Sequence, residues 1–213
     1  MNKSVFFTGF PYLFIAFGIM FASYRYKVNQ YQSELINHGL FAKNENKFAT
    51  LAWYSGVLFL LSTHVLGFIF PSLMAMISRV PFLLTFFELT SISFVLCALY
   101  GLYRIYQNIN QQEDLKKHSG INDYAMILLL ALFLITKVMV LLCYRFESSW
   151  FALQVAPYYR SLLTLRPNTS LIEGLPTLIK FNMAQVFFIL ALIPSSRFLV
   201  EMIFPFHKLK KNC

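Results

Sequence analysis

The chain has 213 residues, 58% of them hydrophobic and only 13% charged, with a formal net charge of +9. A water-soluble domain of this length has too little interior to bury so much apolar surface, which excludes an ordinary globular fold. The positive charge does not point to nucleic acid, because the basic residues fall between long apolar runs and read better as topology signals.

Five apolar segments follow one another: Val5–Tyr24, Phe48–Phe70, Pro81–Tyr103, Tyr124–Tyr144 and Thr177–Phe204. Each reaches the roughly 20 residues of helix that cross a hydrocarbon core. In lipid every backbone N–H and C=O must be paired within the chain, so these segments are expected to be helices. The expected fold is all-α, an integral membrane bundle of five transmembrane helices forming a single domain over 1–213. The first segment follows Lys3 and lacks a small-residue cleavage site, so it reads as an uncleaved helix rather than a signal peptide.

Lysines and arginines set the orientation. Arg25, Lys27, Lys43 and Lys47, then Arg104, Lys116 and Lys117, then Arg197, Lys208, Lys210 and Lys211 share one side. The other side carries Lys3, Arg79, Arg145, Arg160 and Arg166. The positive-inside rule places the N-terminus outside and the C-terminus in the cytoplasm. The connection from Phe146 to Pro176 is long, and its stretch Trp150–Arg160 mixes aromatic residues with one cation. That composition suits a segment lying in the outer interface, either as an aromatic belt or as a lid over a ligand site. Cys97, Cys143 and Cys213 form no disulfide framework and no CxxC pair; they read as small apolar packers and a tail thiol.

Polar groups inside a span are costly and mark candidate sites. His64 lies six residues before Phe70, Glu88 seven after Pro81, and Lys137 eight before Arg145, while Asn182 lies near the outer start of the last segment beside Lys180. At about 1.5 Å of rise per residue, all four share a depth in the outer half of the bilayer. Tyr54 and Glu201 form a smaller inner set, and Glu201 is placed to snorkel to the headgroups beside Arg197. Glu88 and Lys137 read either as a structural ion pair or as a proton- or quinol-binding group. His64 reads either as a packing histidine or as a haem or quinone ligand, and a lone histidine does not supply the pair that b-type ligation uses.

Several stretches resemble the gamma subunit of respiratory nitrate reductase, a membrane cytochrome b that oxidises quinol. The first segment and its exit read Pro11-Tyr12, Ser23-Tyr24-Arg25-Tyr26 and Gln30-Tyr31; the second carries Tyr54-Ser55-Gly56 and His64-Val65-Leu66-Gly67. The outer connection holds Tyr159-Arg160-Ser161-Leu162-Leu163-Thr164-Leu165-Arg166-Pro167, and the last segment ends Pro194-Ser195-Ser196-Arg197-Phe198-Leu199-Val200. The resemblance covers nearly the whole chain. It implies a bacterial or archaeal cytoplasmic (inner) membrane, cytoplasmic iron–sulfur and molybdenum partner subunits, and haem b with quinol as cofactors.

The family's four haem-ligating histidines fall here on Tyr54, His64, Asn182 and Glu201, of which only His64 is histidine. Met183 is adjacent to Asn182, but one step along a helix turns the side chain by about 100°. His38, His118 and His207 lie in loops or the tail, too shallow to replace a lost ligand. The family has a small residue where Lys137 stands, so the lysine would fill space that a haem needs. The expectation is no haem at the inner site and none, or one held by His64, at the outer. The leading functional reading is a subunit that anchors a cytoplasmic redox complex and binds quinol near His64, Glu88 and Lys137, with the di-haem path largely lost. Two alternatives stand beside it: a quinol-oxidising cytochrome with one outer haem, and a non-redox scaffold or transporter-like protein. No nucleotide, zinc or triad signature is present, so no site for nitrate chemistry is expected in this chain.

Overall fold

The computed structural model describes residues 3–27, 47–111, 113, 116, 121–144, 150–193 and 196, with side chains of 3–6 and 21–27 excepted. The regular elements among them are all helical. They are α1 (Lys3–Lys27), α2 (Lys47–Ile69), α3 (Pro71–Arg79), α4 (Pro81–Gln111) and α5 (Ile121–Cys143). A wide π-type turn at Phe151–Val155 then continues into α6 (Ala156–Leu163), followed by α7 (Ser170–Glu173) and α8 (Thr177–Leu192).

Prolines punctuate the run from α2 to α4. A proline disfavours the helical conformation in the residue before it, yet fits the first helical position itself. Phe70 (φ −120°, ψ 67°) and Val80 (φ −103°, ψ 108°) are accordingly non-helical, and α3 and α4 start at Pro71 and Pro81. The chain leaves α2, turns through the nine-residue α3 and re-enters as α4. The sequence expectation assigned no element to this connection.

α2, α4 and α5 are long and apolar enough to cross a membrane, while Phe7–Met20 of α1 and all of α8 are shorter apolar helices. Their outward faces are apolar as well: Leu58, Leu61, Phe82, Phe86, Leu96, Leu128 and Leu142 are exposed. Such a surface suits lipid and would be an aggregation liability in water. Several serine and threonine hydroxyls on these helices are satisfied within their own helix, as a medium without water requires. Ser62 donates to the Phe59 carbonyl, Thr85 to Pro81, Thr90 to Phe86 and Ser93 to Leu89.

The helices pack in the spatial order α1, α8, α5, α4, α2. One buried core joins α2, α4, α5 and α8 through Trp53, Leu60, Val95, Ala98, Leu102, Met126, Leu134 and Ile189. A second joins α1, α5, α8 and the α6 region through Phe7, Val140, Val155, Tyr158, Ile172, Met183 and Phe187. Two tyrosines tie α6 to α1 reciprocally. The Tyr158 hydroxyl donates to the Phe7 carbonyl at 2.7 Å, and the Tyr12 hydroxyl donates to the Leu162 carbonyl at 2.9 Å. Arg160 fastens α6 to the end of α2, donating from Nη2 to the Phe68 carbonyl with its guanidinium 5.3 Å from the Phe68 ring centroid. The aromatic stretch Trp150–Arg160 is thus a helical segment docked across one end of the bundle.

Candidate functional site

Under that segment lies a partly open cleft. α2 contributes Leu60, Thr63 and His64, α4 contributes Phe87, Glu88 and Ser91, and α5 contributes Lys137 and Leu141. Met74 of α3 and Phe151 of the π-type turn complete its wall. Three of the four residues expected to share a depth therefore meet in one place.

Each is held there by its own helix. His64 is half-buried, and its Nδ1 lies 2.7 Å from the Leu60 carbonyl one turn earlier. A donor bond from Nδ1 fixes the tautomer and leaves Nε2 as the nitrogen on the far side of the ring. Phe151 packs against that ring edge-to-face, centroids 5.1 Å apart at 79°. Glu88 is half-buried, and Ser91, one turn further on the same face, is buried with its hydroxyl on the Phe87 carbonyl at 2.8 Å. Lys137 is only 8% exposed. An ammonium buried to that degree among apolar helices is costly and needs polar surroundings, which this cleft supplies.

Asn182, the fourth residue, takes part in a different polar centre at the α5–α8 seam. Its Nδ2 donates to Thr136 Oγ1 at 3.0 Å and to the Phe133 carbonyl at 3.3 Å. The Thr136 hydroxyl reaches Gln185 Oε1 at 2.8 Å and the Phe133 carbonyl at 2.9 Å. Gln185 is 2% exposed, and its Nε2 has no hydrogen-bond partner among the described residues. Successive residues of a helix point about 100° apart, so α5 sends Thr136 toward α8 and Lys137 into the cleft. Met183 is buried in the second core, away from the cleft lining.

Of the inner pair, Tyr54 packs partly buried against the core that includes Trp53 and Ile189, and Glu201 lies outside the described residues. Sequence reasoning missed Thr136, Gln185 and Ser91, and included Phe151 only within the stretch expected as an aromatic belt or a lid. Helical spacing held a signal for two of them, since Ser91 follows Glu88 and Gln185 follows Asn182 by three residues. Burial raises the phenol pKa of Tyr158, reinforced by Tyr12, and that of Tyr159, reinforced by Tyr158; both are held well above the ordinary tyrosine range. Tyr158 therefore stays a hydrogen-bond donor throughout the physiological range. Among the described residues no three histidine, cysteine or carboxylate side chains gather as a metal site.

The family model of the nitrate reductase gamma subunit matches residues 3–212 of the chain. No curated protein matches it.

Proposed function

The chain belongs to the nitrate reductase gamma subunit family, and on that premise we propose that it anchors a cytoplasmic redox complex and binds quinol in the His64 cleft, the family's haem path being lost. In this reading α1 and α8 complete five spans, the N-terminus lies outside, and the cleft opens in the outer leaflet. The observation that carries the proposal is the convergence of His64, Glu88 and Lys137, from three separate helices, on one cleft.

Its chemistry suits a ring bearing two opposed oxygens. Lys137 offers only donors, Glu88 as a carboxylate only acceptors, and the distal nitrogen of His64, with Nδ1–H held by the Leu60 carbonyl, accepts when the ring is neutral. Leu60, Phe87, Leu141 and Phe151 supply apolar walls for the ring itself. Glu88 and His64 are the groups able to take a proton from a bound hydroxyl.

The residues at the family's haem-ligand positions do not fit an axial pair. At the position that pairs with His64 in the family, the Asn182 amide is engaged with Thr136 and Phe133, and an amide is a poor ligand for haem iron. Buried Lys137 brings bulk and charge to the same end of the bundle. Further in, Tyr54 packs partly buried against the core that contains Trp53, Leu102, Met126 and Ile189.

At the other end of the bundle, α4 runs on past its apolar stretch. There Arg104 Nη1 donates to Gln107 Oε1 at 2.8 Å, and Gln107 Nε2 donates to the Tyr103 hydroxyl at 2.7 Å. This polar ladder faces the cytoplasm in the proposed topology and is the surface offered to iron–sulfur and molybdenum subunits. The test is purification from haem-replete membranes with any bound partners. The expected result is a co-purifying iron–sulfur protein, no pyridine haemochrome signal, and quenching of Trp150 fluorescence by a short-chain quinone that Lys137→Met weakens. One haem per chain would overturn the haem-loss reading in favour of a cytochrome, and a chain that purifies alone would overturn the anchor.

A further inference from the structure

We infer that Phe151 is the gate that sets access of ring-sized ligands to the His64–Glu88–Lys137 cleft, with Gly67 as the recess that receives its side chain. The inference rests on the reading of the cleft as a quinol site and adds the residue that controls entry.

Three observations converge on this one side chain. Phe151 lines the cleft together with His64, Glu88 and Lys137. Its ring packs edge-to-face with the imidazole of His64, centroids 5.1 Å apart. One turn along α2, a Cβ built on Gly67 would lie 2.7 Å from Phe151 Cε1 and 2.8 Å from Cδ1. No other residue type leaves room for the ring at that point, so the absence of a side chain at 67 and the ring at 151 are complementary.

The hold on the ring is entirely non-polar. A phenyl group has no hydrogen bond to break, so a change of χ1 between staggered wells is enough to withdraw it. Phe151 is also the first residue of the π-type turn, and such turns are frequent at functional sites. The following helix is fixed elsewhere, by Tyr158 on Phe7 and by Arg160 on Phe68. The scaffold is therefore anchored while the ring at its leading edge is not. Phe151 is a positioning and access residue, distinct from the polar groups that would touch the ligand.

The test reads access without any quinone. In the full chain carrying Ser91→Cys, a reporter on the cleft wall, the rate of modification by N-ethylmaleimide is followed peptide by peptide, with exposed Cys143 as internal control. A closed gate open in a minor fraction of molecules limits that rate, so Phe151→Ala should raise it about tenfold or more. Gly67→Ala, which evicts the ring from its recess, should raise it too, with the Cys143 rate unchanged throughout. If Phe151→Ala fails to fold, Phe151→Leu replaces it, keeping apolar bulk without the ring. Equal Ser91→Cys rates in the parent and the folded variants would overturn the gate. That outcome would leave quinol binding to be judged separately by Trp150 quenching, while faster labelling with no quenching in any variant would keep the gate and remove quinol as its ligand.

Discussion

The close crossing of α2 and α4 brings His64 and Glu88 to one cleft, and Gly56 is where it can be tested most sharply. A Cβ on Gly56 would lie 2.6 Å from the Phe94 carbonyl oxygen, 2.8 Å from Ala98 Cβ and 2.8 Å from Ala98 N. Two of these are backbone atoms of α4, so no side-chain rotation relieves the overlap. Ordinary contact begins at 3.4 Å, so the helices must part by about 0.8 Å, enough to forfeit a quarter to a half of the dispersion energy of atoms facing across the gap. Ala49 and Ala52 precede Gly56 on the buried face of α2, and Gly101 on α4 meets the Trp53 backbone in the same way. Such small-residue seams hold membrane helices together by close approach. Gly56→Ala should therefore cost about 1–3 kcal/mol, the range for overpacking a well-filled core. It should also weaken quinone quenching of Trp150 by parting the two helices that line the cleft. The assay is SDS-induced unfolding in mixed micelles, with Gly9→Ala as control. Gly9 has nothing within 4 Å of its added Cβ, so that change should be neutral or gain about 0.5–1 kcal/mol from helix propensity. An unchanged midpoint for Gly56→Ala, or an equal loss for Gly9→Ala, would refute the packing argument.

Thr136→Val removes the hydroxyl shared by Asn182 and Gln185, and the same unfolding assay should register a loss of about 0.6–2 kcal/mol. Lys137→Met should lower quinone quenching of Trp150 about tenfold; intact quenching would reduce Lys137 to a packing role. The raised phenol pKa values of Tyr158 and Tyr159 carry a definite sign. Above the ordinary value of about 10 the unfolded chain releases these protons before the folded chain does, so stability is complete below about pH 10 and falls as pH rises further. Tyr158→Phe should flatten that decline and cost about 1 kcal/mol at neutral pH through the lost bond to Phe7, read as the pH dependence of the unfolding midpoint.

The apolar runs alone determined where the long helices of this chain lie. Pro81 and Thr177 begin α4 and α8 at the expected residues, and α2 and α5 differ from expectation by a few positions. Backbone pairing in lipid leaves an apolar run no other stable conformation. Helix ends were less legible, because a helix need not stop where the bilayer does: α4 continues to Gln111, eight residues past Tyr103, on its own hydrogen bonds. α3 and α6 are too short for length to announce them, and they exist because Pro71 starts one and tyrosine ties to α1 hold the other. For the candidate site, the sequence determined depth, since rise per residue places His64, Glu88, Lys137 and Asn182 at one level. It did not determine azimuth. Which of four residues at one level meet depends on how each helix is rotated and which neighbours it packs against. α8 packs chiefly on α5 and α1, so Asn182 turns to Thr136, while α4 lies between α2 and α5 and gathers His64, Glu88 and Lys137 around one cleft.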